Sequence, residues 1–134
     1  MDAYSRVLFD ATNARRASVG LPPLRENGYL NAIAHMRSQE MAEYNYFAHA
    51  SPNTGKNVFD LMDDYGVPYG WAGENLAKNN YPDDQAVQVA EQALWDSPSH
   101  HANIVNPNYA NVGIALVVDA TGMKYFTIVF TDGG

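Results

Sequence analysis

Residues 97–104 read Ser-Pro-Ser-His-His-Ala-Asn-Ile and separate a helix-like stretch from two strand-like segments. Proline lacks a backbone N–H and restricts the residue before it, so the pair Ser97–Pro98 ends the preceding helix. The two histidines that follow therefore begin a new element. Two other fragments have the same character: residues 47–52, Phe-Ala-His-Ala-Ser-Pro, and residues 73–77, Gly-Glu-Asn-Leu-Ala. Each places an ionisable side chain at a junction between periodic segments, and we expect the fold to bring the three fragments together.

The composition is that of a globular domain. With 134 residues, 46% of them apolar, the chain suits one domain over residues 1–134. Its net charge is −7 and its eight lysines and arginines are scattered, which excludes the basic stripe that nucleic-acid binding requires. Without cysteine it forms neither disulfides nor thiolate metal sites, a composition that suits the cytosol and also many exported bacterial proteins.

We expect neither a membrane span nor a signal peptide in this chain. No apolar run approaches the roughly 18 residues of a spanning helix. Residues 1–4 have neither the positive region nor the apolar region with which a signal peptide begins.

Hydrophobic periodicity predicts four helices and a terminal hairpin. The helices are expected over about residues 2–18 and 28–44, from the cap Asn57 to Gly66, and from Asp83 to Pro98. Strands 112–118 and 125–130 are joined by a glycine-containing turn, and a short strand is expected near residues 75–77. Because both hairpin strands are apolar on both faces, we expect helices on each side of a sheet, which is a three-layer α+β fold.

Three histidines and two glutamates are candidate site residues. His49 is either a turn histidine bonded to a nearby carbonyl or a site residue. His100 and His101 are adjacent and point in different directions, so at most one of them faces a site. Glu74 stands in an apolar neighbourhood, where a carboxylate must be paired or protonated, so it is a structural anchor or a site acid. Glu91 lies at the edge of a buried helix face and is either a solvated boundary residue or a second site acid.

The sequence holds no standard catalytic signature. His-Glu-x-x-His, Gly-x-Ser-x-Gly and the glycine-rich phosphate loop are all absent, and there is no cysteine to act as a nucleophile. Ser51 and Ser97 each precede a proline and are interpreted as turn or cap residues. His35 lies in the middle of a helix, where a packing or surface role is the simpler interpretation.

In these fragments the chain resembles the CAP superfamily, which comprises cysteine-rich secretory proteins, antigen 5 and pathogenesis-related class 1 proteins. It is most similar to the short, cysteine-free bacterial branch. The motifs that carry the resemblance are Asn13-x-x-Arg16 with Gly20-Leu21-x-x-Leu24, Tyr46-Phe47-x-His49-x-Ser51-Pro52, Gly73-Glu74-Asn75-Leu76, Ser97-Pro98-x-His100-x-Ala102-Asn103-Ile104, and Asn106-Pro107 before Val112-Gly113-Ile114. Together they cover nearly the whole chain.

The resemblance implies an α-β-α sandwich with a central antiparallel sheet and a cleft lined by two histidines and two acids. By motif, His49 and His100 are the histidines, Glu74 is one acid, and the neighbouring histidine at 101 lies outside the site. For the second acid, Glu91 is the first choice and Asp96 the second. Two imidazoles with oxygen ligands suit a divalent metal such as Zn²⁺, held by His49 and His100.

The resemblance also implies a secreted or cell-surface protein, which we expect to be a monomer. Proposals for relatives include binding of lipids, peptides or cell-wall fragments, and peptide hydrolysis. A fold and a polar cleft do not fix a reaction. Because the second acid is not at the place where the family has it, which weakens the catalytic interpretation more than the binding one, we expect a ligand-binding module without enzymatic activity. The alternative is a metal-dependent hydrolase in which Glu74 or Glu91 acts as general base on a metal-bound water.

Overall fold

The computed structural model describes residues 1–134, which form five helices and four strands. The helices are α1 (Ala3–Ser18), α2 (Gly28–Tyr44), α3 (Val58–Asp64), α4 (Asp83–Asp96) and α5 (Pro98–Ile104). The strands are β1 (Arg25–Glu26), β2 (Ala72–Asn79), β3 (Asn111–Val118) and β4 (Lys124–Thr131). None of the helices combines the length and the hydrophobicity needed to cross a bilayer.

One sheet, in the order β1-β3-β4-β2, forms the middle layer. β4 pairs antiparallel with both β3 and β2, whereas β1 runs parallel to β3. Successive residues of a strand face opposite sides of a sheet. Ile114 and Ile128 accordingly pack with α1, α4 and α5 on one side, while Ala115 and Val129 pack with α2 and α3 on the other. The structure confirms the expected three-layer α-β-α sandwich.

Local sequence signals set most element ends. Asn27 caps α2 by accepting hydrogen bonds from two backbone N–H groups. Asn57 caps α3 by accepting one from the backbone N–H of Asp60, whose side chain accepts a bond from the backbone N–H of Asn57 in return. Gly66 after α3 and Gly122 in the hairpin turn have φ angles of 67° and 90°, which glycine adopts without steric cost. The predicted ends of the four helices and of the hairpin strands are confirmed to within about two residues.

The structure contains one strand longer than predicted and two short elements, a strand and a helix, that the sequence did not predict. β2 runs over eight residues rather than three, because its polar residues Glu74 and Asn75 are buried and bonded instead of turning to solvent. β1 has only two residues and exists through its pairing with β3. The element that begins after Ser97 is the short helix α5.

The layers come closest at Gly113 in β3. A Cβ atom there would overlap the backbone of Leu30 and Asn31 in α2. The Asn31 side-chain oxygen accepts a hydrogen bond from the backbone N–H of Ile114 at 3.0 Å, so the helix lies directly on the strand. The absence of a side chain at 113 permits this contact.

A buried arginine ties α1 to the segment that leads from α5 into β3. Arg16 is fully buried and donates to the backbone oxygens of Pro22 (3.0 Å), Ile104 (2.9 Å), Asn106 (3.0 Å) and Tyr109 (3.3 Å). Burial lowers the pKa of its guanidinium. The four carbonyl groups take the place of a carboxylate partner, so this arginine serves the fold.

Candidate functional site

The site is built around Arg37 in α2. This residue lies four positions after Ile33 and four before Met41, both of which are buried, so it faces the interior. Its guanidinium donates to the Tyr46 hydroxyl at 3.1 Å and to the backbone oxygen of Ala48. These bonds hold the segment that follows α2 against the helix and so place His49, the next residue along.

The same guanidinium forms a buried ion pair with Glu74 of β2. Arg37 Nε lies 2.9 Å from Glu74 Oε2, and Nη2 lies 3.3 Å from Oε1. Each side chain is only 2% exposed. A buried carboxylate needs such a partner, and an arginine fork satisfies both of its oxygens at once.

His49 makes the third bond to this carboxylate. Its Nδ1 lies 2.8 Å from Glu74 Oε1. Because a carboxylate oxygen can only accept, the ring donates through Nδ1 and its Nε2 remains available to another partner. The hydrogen bond to Glu74 raises the pKa of His49 above its ordinary value, and partial burial opposes the rise. The side chain is 63% exposed, so a ligand can reach it.

α5 brings His100 to the same part of the sheet. Its Nδ1 lies 2.9 Å from the Ser97 hydroxyl, and its backbone oxygen accepts a bond from the side chain of Asn75 at 3.0 Å. Asn75 follows Glu74 in β2, so the helix is fastened beside the ion pair. Burial lowers the pKa of His100, and the charge of nearby His49 lowers it further.

An open cleft of about 350 Å³ lies between these elements. Its walls are formed by His49, Asn57, Val58, Phe59, Ala72, Gly73, Glu74 and Asn103. His100 is not one of the wall residues. A Cβ atom at Gly73 would press on the Tyr109 hydroxyl and on Asn103, so glycine keeps that wall open. The cleft therefore offers an imidazole, side-chain amides and one aromatic ring.

A family model described as "CAP: Cysteine-rich secretory protein family" matches residues 9–130. The chain belongs to the CAP family. It is 38% identical over 117 residues to the protein YkwD of Bacillus subtilis. The aligned region covers 87% of this chain and 44% of YkwD. It is 31% identical over 120 residues to the membrane protein YlbC of the same bacterium, covering 90% of this chain and 32% of YlbC. This CAP domain thus spans less than half the length of both relatives.

Solved structures share the fold. An extracellular protein of Bacillus anthracis that contains an SCP domain superposes with a TM-score of 0.83 at 29% identity, over 96% of this chain and 40% of that one. An outer surface protein of Borrelia burgdorferi gives a TM-score of 0.86 at 18% identity, over 100% of this chain and 97% of that one. The second likeness concerns the fold alone.

The other candidate acids of this CAP domain lie elsewhere. Glu91 in α4 forms a two-pronged ion pair with Arg15 of α1, at 2.9 and 3.0 Å, and does not line the cleft. Asp96 is exposed and accepts a bond from Gln92 one turn earlier. The structure therefore does not bring the expected second acid to the cleft, because Arg15 holds Glu91 between the two helices.

The remaining two histidines also lie outside the cleft. His101 packs against Trp95 with ring centres 4.0 Å apart and ring planes tilted by 54°, and its Nδ1 lies 2.9 Å from that residue's backbone oxygen. His35 is exposed on α2.

Arg37 and Ser97 are site residues that the sequence interpretation missed. Arg37 sits in the same row of α2 as Ile33 and Met41, and a charge in a buried row needs either a buried charge of opposite sign or several carbonyl groups as partners. Glu74, already suspected to be buried, was the obvious candidate for that partner. For Ser97, the cap position before α5 carried no signal that its hydroxyl would contact His100 three residues later.

Proposed function

We propose that this CAP domain is an extracellular binding module whose cleft takes up a ligand beside His49, and that it is not an enzyme. One observation carries the proposal: the Glu74 carboxylate is already fully engaged. Its two oxygens accept from Arg37 twice and from His49 once, and the side chain is almost completely buried. A general base must be free to take a proton from a water molecule in reach. Glu74 is placed instead to fix the His49 ring.

The chemistry of the cleft favours an amide-containing ligand such as a peptide or the peptide part of a cell-wall fragment. In the metal-free cleft His49 offers Nε2, and Asn57 offers its amide N–H groups because its side-chain oxygen is used in capping α3. Phe59 supplies an exposed apolar wall. A peptide group has both a donor and an acceptor for such a surface, whereas a lipid chain would need a longer apolar lining.

The location is part of the proposal. The Bacillus anthracis neighbour is described as extracellular and the Borrelia neighbour as an outer surface protein. An extracellular setting suits a cleft that meets peptides or wall fragments. We infer that this domain acts outside the cytoplasm.

We further propose that His49 and His100 hold a divalent ion such as Zn²⁺ weakly. Both rings use Nδ1 within the protein, toward Glu74 and Ser97, which leaves both Nε2 atoms for a metal. No group of three or more histidine, aspartate or glutamate side chains is arranged to hold an ion. The residues fit a two-imidazole site completed by water, and they do not fit the three-ligand site of a catalytic zinc. A bound ion would supply open positions for a carbonyl or carboxylate oxygen of the ligand.

Calorimetric titration with zinc tests the metal site. We expect the change His49→Ala/His100→Ala to lower the affinity at least about tenfold, since it removes both imidazole ligands. Because zinc needs neutral imidazoles, the affinity should fall as the pH drops through the pKa of His49, which Glu74 raises above its ordinary value. The loss should therefore begin at a higher pH than it would for a free imidazole, whose pKa is about 6.5.

The other two histidines provide the matched control for the zinc titration. His35→Ala/His101→Ala removes the same number of imidazoles and should leave the zinc affinity unchanged. Equal affinity in the wild type and in His49→Ala/His100→Ala would show that zinc binds elsewhere or not at all.

A screen of peptides, wall fragments and lipid vesicles on zinc-loaded protein tests the function. We expect saturable binding of an amide-containing ligand, with no product detected by mass spectrometry. The change Phe59→Ala should weaken that binding, since it removes the apolar wall without touching the ion pair. Metal-dependent turnover that disappears in His49→Ala/His100→Ala would overturn the binding module in favour of the hydrolase.

A further inference from the structure

A second groove lies at the end of the sheet where β3 begins and β4 ends. It encloses about 370 Å³, in the range of small-molecule sites, and shares no wall residue with the cleft. Tyr29 of α2 and Tyr65 after α3 line it, and both also line an adjoining apolar hollow of about 130 Å³ beside Met36. We call these two hollows the tyrosine groove.

The two rings are the main exposed feature of the tyrosine groove. Tyr29 is 73% exposed and Tyr65 is 60% exposed, and neither hydroxyl makes a hydrogen bond within the protein. Two large aromatic faces that flank the same hollows form a stacking surface for a ligand with an apolar face. Folding has not used them, so they are free to bind a ligand.

Amide side chains supply the polar contacts. The amide of Asn111, at the start of β3, makes no hydrogen bond within the protein, although the residue is half-buried. Asn27 uses its oxygen to cap α2 and keeps its N–H groups free. A Cβ atom at Gly133 would lie 2.8 Å from the Asn111 nitrogen, so glycine leaves this amide open to the groove.

We propose that the tyrosine groove binds an uncharged saccharide. A sugar ring presents C–H groups on its faces, which stack on aromatic rings, and hydroxyl groups at its edge, which pair with amides. None of the groove residues is charged, and the net charge of −7 opposes a polyanion. The mixture of aromatic rings and amides distinguishes the groove from a site for a lipid chain. The proposal does not depend on the function of the cleft.

Titration of isotope-labelled protein, followed by NMR, tests the proposal. The probes are an oligosaccharide of N-acetylglucosamine and an oligosaccharide of glucose. We expect saturable shifts of the side-chain amide signals of Asn27 and Asn111 with at least one of them, and no shift at His49. The change Tyr29→Ala/Tyr65→Ala should weaken binding at least about tenfold, because aromatic anchors dominate small interfaces.

Matched variants keep the test decisive. Tyr44→Ala removes an equally exposed tyrosine of α2 outside the groove and should bind like the wild type. Asn111→Ala removes an amide with no internal bond, so it should fold normally and bind more weakly. No saturable shift with either sugar would overturn the proposal. So would unchanged binding in Tyr29→Ala/Tyr65→Ala, or tighter binding of a sulphated oligosaccharide than of the neutral ones.

Discussion

Replacing Arg37 by methionine should lower the free energy of unfolding by about 3–5 kcal/mol, the largest loss we expect from one side chain of the site. The change leaves the Glu74 carboxylate buried without a charged partner. It also removes the bonds to the Tyr46 hydroxyl and the Ala48 oxygen, which hold the segment that carries His49. Urea unfolding followed by circular dichroism measures the loss.

Two further variants separate the buried charge from general damage. Arg37→Met/Glu74→Leu removes both charges and should be less destabilised than the sum of the two single changes. Arg15→Met breaks the more exposed pair with Glu91 and should cost about 1 kcal/mol or less. A loss in Arg37→Met no larger than in Arg15→Met would contradict the buried ion pair.

Replacing Gly113 by alanine should cost about 3 kcal/mol or more, or prevent folding. The added Cβ meets the backbone of Leu30 and Asn31, and backbone cannot move aside by changing a rotamer. The whole of α2 would have to lift from β3. Thermal unfolding of purified protein, or its absence from the soluble fraction, reports the effect.

Gly28→Ala is the control for this change. Gly28 is the first residue of α2, has open space around it, and does not adopt a positive φ. Alanine favours the helix, so the variant should be as stable as the wild type or slightly more stable. If Gly113→Ala were equally well tolerated, α2 and β3 would not be in the close contact described above.

Much of the fold was predictable because hydrophobic periodicity, helix caps and turn glycines are local signals that can be recognised in the sequence. Residues Asn27 and Asn57 mark the starts of α2 and α3, and Gly66 and Gly122 mark turns that require positive φ. β1 was not predictable, since two residues carry no periodicity and its pairing with β3 is a tertiary contact. The full length of β2 was not predicted for a related reason. Its polar residues Glu74 and Asn75 are poor strand formers and are stabilised by partners far away in sequence.

The site was predictable in part. The three junction fragments pointed to His49, Glu74 and His100 as candidate site residues. In the structure His49 and Glu74 are in hydrogen-bond contact. The backbone oxygen of His100 is bonded to Asn75, the residue after Glu74 in β2. Glu91 illustrates the limit of sequence patterns, because its position on the edge of a helix face says nothing about whether Arg15 or a cleft lies opposite. Ion pairs between distant elements depend on how the layers are stacked, which periodicity alone does not determine.

The place of β4 in the chain determines when this protein can complete its fold. β4 is the last strand in sequence, yet it lies between β2 and β3, and all of its residues are buried. A ribosome adds roughly 5–20 residues per second. During synthesis β2 therefore remains without its only strand partner, β4, while α4, α5 and β3 are made. A nascent or exported chain that has not yet released residues 124–131 therefore carries β2 without a strand partner and β3 paired only with the two-residue β1, and the sheet is completed only when β4 is added.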